Sequence, residues 1–310
     1  MPNRGPSMGM RLAHLYLRRT WLAKVKTATL ESMRADNCVS PPKRVRREHA
    51  VLTEDIAGVR CVWLDKHKAA TGVMVYLHGG AYLFGPFKEQ WVWMSYIARK
   101  LGMACVMVDY RLAPEHPFPA ALDDAVGVIR YLSSQGVLRS GRWVIAGDSA
   151  GGGLAVATAM QLRDQRAPLP DRLLLLSPWL DVTLSHGDIP AIAPRDPMIW
   201  FEGTQMVGTA YAGEHDPKSP LVSPVYGDPT GLPAILMQGG SAEILAPDLR
   251  LFHTQCQQAG VQITYEEYRG AFHVFPMALL MLPESRRAMR RELRFLRAMT
   301  SKPVPVENDA

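Results

Sequence analysis

The stretch that decides the fold runs from residue 143 to residue 162 and reads WVIAGDSAGGGLAVATAMQL. It opens with four apolar residues and then a glycine, which is typical of a buried strand that ends at a turn. After Gly151 the residues are small or apolar up to Leu162, and this pattern predicts a closely packed helix. The stretch therefore predicts a strand, a tight turn and a helix in direct succession.

The alternation of strands and helices continues on both sides of this stretch. Apolar runs predict further strands at residues 59–64, 72–77, 104–110, 173–176, 234–238 and 262–268. Helical periodicity is found at residues 91–101, 120–134, 246–259 and 284–299. Strands joined by helices at this spacing form a parallel sheet with right-handed crossovers and helices on both faces. The expected fold class is α/β, with a mostly parallel central sheet.

Two segments interrupt the alternation. Residues 9–36 have helical spacing with an apolar face that must dock on the rest of the protein. That face consists of Leu12, Leu15, Leu17, Trp21 and Leu22. Residues 181–224 contain six prolines between short apolar helical pieces, such as Met198 to Tyr211. We expect residues 1–48 to form an N-terminal helical cap segment, residues 181–224 a cap insertion, and residues 49–180 and 225–310 the main α/β domain.

Composition and charge exclude several classes of protein. The chain has 310 residues, of which 47% are hydrophobic and 21% charged, as in ordinary globular proteins with a large core. Much of its net charge of +6 comes from the first 48 residues. No zinc-finger or RNP-type motif accompanies these basic residues, so we expect a solvated helical face and no nucleic-acid partner.

The sequence also bears on the cellular compartment. It has no uninterrupted apolar run of about 18 residues and no signal-peptide pattern, so we expect no stable membrane anchoring. Four cysteines are scattered without C-x-x-C spacing, which is typical of free thiols in a reducing compartment. They are Cys38, Cys61, Cys105 and Cys256. The expected location is the cytoplasm.

The turn after the strand at 143–146 carries a G-x-S-x-G pattern, Gly147-Asp148-Ser149-Ala150-Gly151. A tight turn from strand to helix forces strained dihedral angles on the serine and exposes its hydroxyl. The flanking glycines leave room for the crossing chain. Ser149 is therefore the candidate nucleophile.

A second glycine-rich segment, His78-Gly79-Gly80-Ala81-Tyr82, follows directly on the strand predicted at residues 72–77. Peptide N–H groups approach a developing oxyanion only where no side chain intervenes. Gly79 and Gly80, together with the N–H of Ala150, are therefore candidate donors of an oxyanion hole.

A serine nucleophile needs a base and an acid. Where the serine lies in a G-x-S-x-G turn between a strand and a helix, the acid and the base follow it along the chain. His273 lies in a loop after the last predicted strand, where an imidazole reaches the carboxyl edge of the sheet. Glu243 and Asp248 both follow the strand at 234–238. Glu243 is closer to the strand end and is the preferred acid. Asp248 follows Pro247 and is the alternative acid, although capping of the next helix suits it better.

At these residues the sequence resembles the hormone-sensitive-lipase family of esterases and lipases, the bacterial type IV group of the α/β-hydrolase superfamily. The matching segments are His78–Tyr82, Asp109–Ala121, Gly147–Gly152, Ser177–Trp179 and Gly270–Phe275. The resemblance implies a carboxylesterase that prefers short acyl chains, with an oxyanion hole at Gly79, Gly80 and Ala150. Many relatives have Asp-Pro-Leu where this chain has Glu243-Ile244-Leu245, so the family's acid falls on Glu243 and Asp248 stays open.

The expected activity is hydrolysis of short- to medium-chain acyl esters through an acyl-serine, without a metal or organic cofactor. The expected partner is a small-molecule ester, and by analogy with relatives a homodimer through a sheet edge is a further expectation. An amide or acetyl hydrolase of the arylacetamide-deacetylase type uses the same three residues and is the alternative. A ligand-binding module, as in plant gibberellin receptors that resemble this family, is disfavoured because those receptors lack the histidine that stands here as His273.

Overall fold

The computed structural model describes residues 5–300, so residues 1–4 and 301–310 of the predicted segments lie outside the described range. Eight strands are found there: β1 Val51–Ile56, β2 Val59–Leu64, β3 Val73–Leu77, β4 Ala104–Val108, β5 Trp143–Asp148, β6 Arg172–Leu176, β7 Ala234–Gly240 and β8 Ile263–Tyr268. They form one sheet in the order β1-β2-β4-β3-β5-β6-β7-β8. Along this order, all neighbouring strands from β4 to β8 are parallel, and β2 is antiparallel to both of its neighbours, β1 and β4. The predicted α/β class with a mostly parallel sheet is confirmed.

Eleven helices accompany the sheet in residues 5–300. They are α1 Met8–Arg19, α2 Trp21–Thr27, α3 Leu30–Arg34, α4 Lys43–Glu48, α5 Lys88–Leu101, α6 Ala120–Ser134, α7 Ser149–Asp164, α8 Ile189–Ile192, α9 Phe201–Ala212, α10 Ala246–Gln258 and α11 Pro283–Thr300. The four helices predicted between strands and at the end of the chain correspond to α5, α6, α10 and α11. The helix predicted after the G-x-S-x-G turn corresponds to α7.

The strands alternate their side chains between two apolar layers, as expected for a sheet covered on both faces. Val73, Val75 and Leu77 of β3 pack in the layer that contains buried residues of α6 and α7. Met74 and Tyr76 of the same strand pack in the opposite layer, with buried residues of α5 and α11. All five residues of β3 are buried, so their nearly continuous apolar run reflects burial on both sides.

Strand β1 was not predicted. It lies at the edge of the sheet and pairs only with β2, in an antiparallel hairpin. Thr53, Glu54 and Asp55 make it polar, because an edge strand with one exposed side needs no apolar run.

The N-terminal segment is helical, but one detail of the prediction is wrong. Leu12 and Leu15 were expected on a docked face, and they are 59% and 54% exposed. The chain breaks at Thr20 between α1 and α2, and the buried residue of α1 is Met10. Met10 packs in a cluster with Tyr268, Phe272 and Phe275. Leu17 of the predicted face packs against this same cluster, and Leu22 of α2 is buried, so the prediction fails for Leu12 and Leu15 only. Helix α1 therefore docks on the loop that follows β8 through Met10 and Leu17.

The insertion, residues 181–224, contains α8 and α9. Its main anchor is Tyr211 of α9, whose ring stacks on Tyr82 with centroids 3.6 Å apart. The carbonyl of Tyr211 also accepts a hydrogen bond from the N–H of Phe118, at 2.8 Å. The insertion is thus fixed to the loops that follow β3 and β4, at the carboxyl edge of the sheet.

Helix α4, at the end of the predicted N-terminal segment, packs in a different place from α1. Val45 of α4 packs in the layer of α5 and α11, on a face of the sheet. The division into a cap segment, an insertion and a main domain remains a prediction.

All four cysteines are free thiols, three of them buried. Within residues 5–300, every helix is too short or too polar to cross a membrane.

Candidate active site

The turn between β5 and α7 places Ser149 at the first position of the helix in a left-handed conformation, with φ of 52°. Such a φ is rare for a residue other than glycine and is typical of a strained functional turn. The turn needs glycine on both sides, because a Cβ on Gly147 would overlap the carbonyl of Gly151. A Cβ on Gly151 would overlap the carbonyls of Leu77 and His78. The local sequence therefore fixes where the serine hydroxyl lies.

The structure brings Ser149, His273 and Glu243 together in one chain of contacts. The Nε2 atom of His273 lies 2.9 Å from Oγ of Ser149. The Nδ1 atom of His273 lies 2.6 Å from Oε2 of Glu243. Glu243 is fully buried and His273 is 8% exposed. A buried carboxylate, an imidazole and a hydroxyl in this order can move a proton from the serine to the histidine.

Glu243 is oriented through its second oxygen. Oε1 accepts the N–H of Gly240 at 2.6 Å and the hydroxyl of Ser177 at 2.9 Å. The Ser177 oxygen in turn accepts the N–H of Val274 at 3.0 Å. Ser177 therefore connects Glu243, in the turn after β7, to Val274, the residue that follows His273. The sequence reasoning gave it no role, although it opens the Ser177-Pro178-Trp179 segment noted above.

The electrostatic surroundings of His273 favour its protonated form. Burial alone would lower the pKa of the imidazole. The hydrogen bond and charge of Glu243, with the charges of Asp196 and Asp148, outweigh burial and raise that pKa above its usual value. The site therefore stabilises the imidazolium that forms when the histidine takes up a proton.

Asp248, the alternative acid, lies in the first turn of α10 and is 2% exposed. No hydrogen bond joins it to His273 in the described part of the chain, and its Oδ2 atom has no partner there. Burial, with the charge of Asp181, raises the pKa of Asp248 to about 8. A carboxyl group that is protonated at neutral pH cannot orient an imidazole as an anion does.

The candidate oxyanion donors differ from one another. The N–H of Gly79 donates to Oδ1 of Asp148 at 2.8 Å, so this amide already has a strong acceptor. The next two residues are Gly80 and Ala81. Within the described part of the chain, neither of their N–H groups donates a hydrogen bond. The N–H of Ala150 belongs to the first turn of α7, where amides point out of the helix end. The structure thus favours Gly80, Ala81 and Ala150 over Gly79 as donors.

Asp148 is a further residue that sequence reasoning left without a role. Its buried carboxylate accepts the hydroxyl of Tyr76 and the N–H of Gly79. The side-chain amide of Gln90 donates to both carboxylate oxygens, at 3.1 Å to Oδ1 and 3.0 Å to Oδ2. An acidic residue at the end of an apolar strand was the available signal, because a buried carboxylate needs several donors.

No group of three or more His, Cys, Asp or Glu side chains in residues 5–300 is arranged to hold a metal ion.

This sheet order and site define the α/β-hydrolase class, and comparison with known proteins gives the same result. The profile of a family described as "alpha/beta hydrolase fold" matches residues 74–277. An acetyl-hydrolase from Streptomyces hygroscopicus is 38% identical over 238 residues, which are 77% of this chain and 79% of the relative. An esterase from Acinetobacter venetianus is 34% identical over 235 residues, 76% of this chain and 77% of the relative.

A solved structure narrows the class further. The crystal structure of an esterase from the bacterial hormone-sensitive lipase family superposes with a TM-score of 0.84 at 32% identity. The match covers 96% of this chain and 100% of that one. The chain belongs to the hormone-sensitive-lipase family of α/β hydrolases and is a carboxylic ester hydrolase.

Proposed function

We propose that Ser149 is the nucleophile of this ester hydrolase, His273 its general base and Glu243 the acid that orients the histidine. The observation that carries this proposal is the continuous chain of contacts from Ser149 Oγ to the Glu243 carboxylate, 2.9 Å and 2.6 Å long. The N–H groups of Gly80, Ala81 and Ala150 form the oxyanion hole, and Asp148 holds Gly79 so that the amides after it face the site.

In the proposed reaction, His273 Nε2 takes the proton of Ser149 as its oxygen attacks the ester carbonyl. The carbonyl oxygen becomes negative and is stabilised by the three amide donors. His273 then gives its proton to the departing alcohol, and an acyl-serine remains. Water, deprotonated by the same imidazole, attacks the acyl-serine. The imidazolium then returns the proton to Ser149 Oγ as the bond to the acyl group breaks and the acid leaves. These steps need no cofactor.

The proposed substrates are esters of short- to medium-chain acids. An acetyl-hydrolase at 38% identity supports acetyl groups as the first acyl group to test. The same relative supports a second candidate, cleavage of acetyl groups from amides, because ester and amide hydrolysis use the same three residues.

The test is hydrolysis of p-nitrophenyl acetate, butyrate, octanoate and palmitate, with acetanilide as the amide. Ser149→Ala is expected to lower kcat by about 10⁴-fold or more, and His273→Ala similarly. Glu243→Gln, which keeps the shape of the acid, is expected to lower kcat by about 10³-fold because the tautomer is no longer fixed. Asp248→Asn is its matched control and is expected to stay within about twofold of wild type.

Three outcomes contradict parts of this proposal. A large loss in Asp248→Asn with an active Glu243→Gln would move the acid to Asp248. Faster turnover of acetanilide than of any ester would favour the amide hydrolase. The absence of Ser149-dependent turnover on every ester and on the amide would favour the binding module.

A further inference from the structure

Asp196 is a buried carboxylate of the insertion whose hydrogen bonds reach outside the insertion. It is 1% exposed. Its Oδ1 atom accepts the N–H groups of Met198 and Ile199, at 2.8 and 2.9 Å. Its Oδ2 atom accepts the N–H of Ile244 at 2.8 Å. Ile244 directly follows Glu243, so Asp196 ties the insertion to the turn that carries the proposed acid.

The same short segment also packs against a cluster to which the histidine's loop contributes. Met198, two residues after Asp196, packs against the cluster that contains Phe272 and Phe275. Phe272 directly precedes His273. Residues 196–198 are therefore hydrogen-bonded to the residue after Glu243 and packed against the cluster that includes the residue before His273. A displacement of this segment would change the geometry between the two.

The charge of Asp196 also acts on His273. Three carboxylates from three different elements raise the pKa of this imidazole by their charge: Glu243 after β7, Asp196 in the insertion and Asp148 at the end of β5. Glu243 is hydrogen-bonded to the ring, whereas Asp196 acts on it through space. Burial raises the pKa of Asp196 to about 6, and the hydrogen bonds from the N–H groups of Ile199, Met198 and Ile244, followed by the charge of His273, oppose this rise.

We propose that Asp196 is a positioning residue for the Glu243–His273 pair, holding the acid's turn through Ile244 and stabilising the imidazolium by its charge. The inference rests on the proposed function. During attack on the ester, His273 becomes positive, and a fixed negative charge in a buried site lowers the free energy of that state. Through this residue the insertion contributes to the chemistry as well as covering the site.

The test is the pH profile of kcat/KM for p-nitrophenyl acetate from about pH 5 to pH 9, which reports ionisations of the free enzyme. Asp196→Asn removes the charge and places an amide against the N–H of Ile244. We expect kcat to fall about tenfold with KM nearly unchanged, because the acid and the histidine become misaligned for the chemical step but do not bind the substrate. We also expect the acid limb to move about half a pH unit lower, because His273 loses one favourable charge.

Two variants separate this role from a merely structural one. Asp181→Asn removes an equally buried carboxylate of the insertion, whose hydrogen-bond partners within residues 5–300 are Thr183, Ser185 and Tyr226. Its acid limb is expected at the wild-type position. Asp196→Glu keeps the charge but displaces it by one methylene, so kcat falls and the acid limb stays near the wild-type position. This result supports the proposal even if Asp196→Asn does not fold.

Several results would overturn the inference. One is an acid limb of Asp196→Asn at the wild-type position. Others are an equal shift in Asp181→Asn, and an Asp196→Glu limb that moves as far as is expected for the asparagine variant. A wild type without Ser149-dependent turnover would overturn the proposed function and this inference with it. An unchanged acid limb in an active Asp196→Asn enzyme overturns the inference alone.

Discussion

The turn after β5 and the insertion between β6 and β7 both hold parts of the site in place, but by different means. In the turn, the chain crosses so closely that no side chain fits at Gly147 or Gly151. In the insertion, position depends on side chains that reach distant parts of the sequence, such as Asp196 and Tyr211. Steric exclusion therefore fixes Ser149, and a few long-range contacts fix the insertion.

The largest effect is expected from adding one methyl group to the turn. In Gly151→Ala, the new Cβ would meet the backbone of Leu77 and His78, which cannot move without disturbing β3. We expect a loss of more than about 3 kcal/mol in the free energy of unfolding, measured by urea denaturation. Gly127→Ala in α6 is the matched helical control, because its nearest neighbour is 3.9 Å away. It is expected to stabilise the protein by about 0.5–1 kcal/mol. Equal effects at the two positions would remove steric exclusion as the cause.

A smaller effect is expected from removing a whole ring in the insertion. Tyr211→Ala removes the stacking partner of Tyr82 and leaves a cavity beneath α9. We expect a loss of about 2–3 kcal/mol, measured as faster hydrogen exchange in residues 201–212, because the insertion can open locally. Tyr131→Ala, at a tyrosine 47% exposed on α6, serves as the control and should change exchange little. Uniformly faster exchange throughout the sheet would show that the insertion unfolds with the core and would break the comparison.

The smallest effect is expected on the outer face of α1. Leu12→Ser and Leu15→Ser replace side chains that are more than half exposed, so each should change the free energy of unfolding by less than about 0.5 kcal/mol. Met10→Ala on the docked face of the same helix should cost about 2–3 kcal/mol. Thermal melts of the three variants measure this difference. A large loss in either leucine variant would mean that a contact outside the described chain covers this face.

The sequence was most informative where the fold depends on local rules. Buried strands read as apolar runs, and the glycines around Ser149 and after β3 marked the two turns where backbone must approach backbone. The order of strands and helices placed His273 and Glu243 at the same edge of the sheet. Periodicity also predicted the strand β7, and thus the turn in which Glu243 lies.

The sequence was least informative where position depends on contacts between distant residues. The carboxylate of Asp148 occupies the N–H of Gly79, a hydrogen bond that spans 69 residues and that no local pattern shows. Asp196 and Ser177 reach the acid's turn across 48 and 66 residues. The helical period of α1 showed that the helix has apolar residues, but Met10 docks while Leu12 and Leu15 face outward. The side that docks depends on the loop after β8, which the N-terminal sequence does not contain.

The hydrogen bond between Asp148 and Gly79 limits how this protein can be recombined with its relatives. The carboxylate belongs to the end of β5, and it holds the amide that follows β3 together with the side chains of Tyr76 and Gln90. A chimera that received a foreign segment in place of residues 76–90 would need donors at positions 76, 79 and 90 that match this carboxylate. The two glycine-rich segments therefore depend on each other, although about 70 residues separate them in the printed sequence.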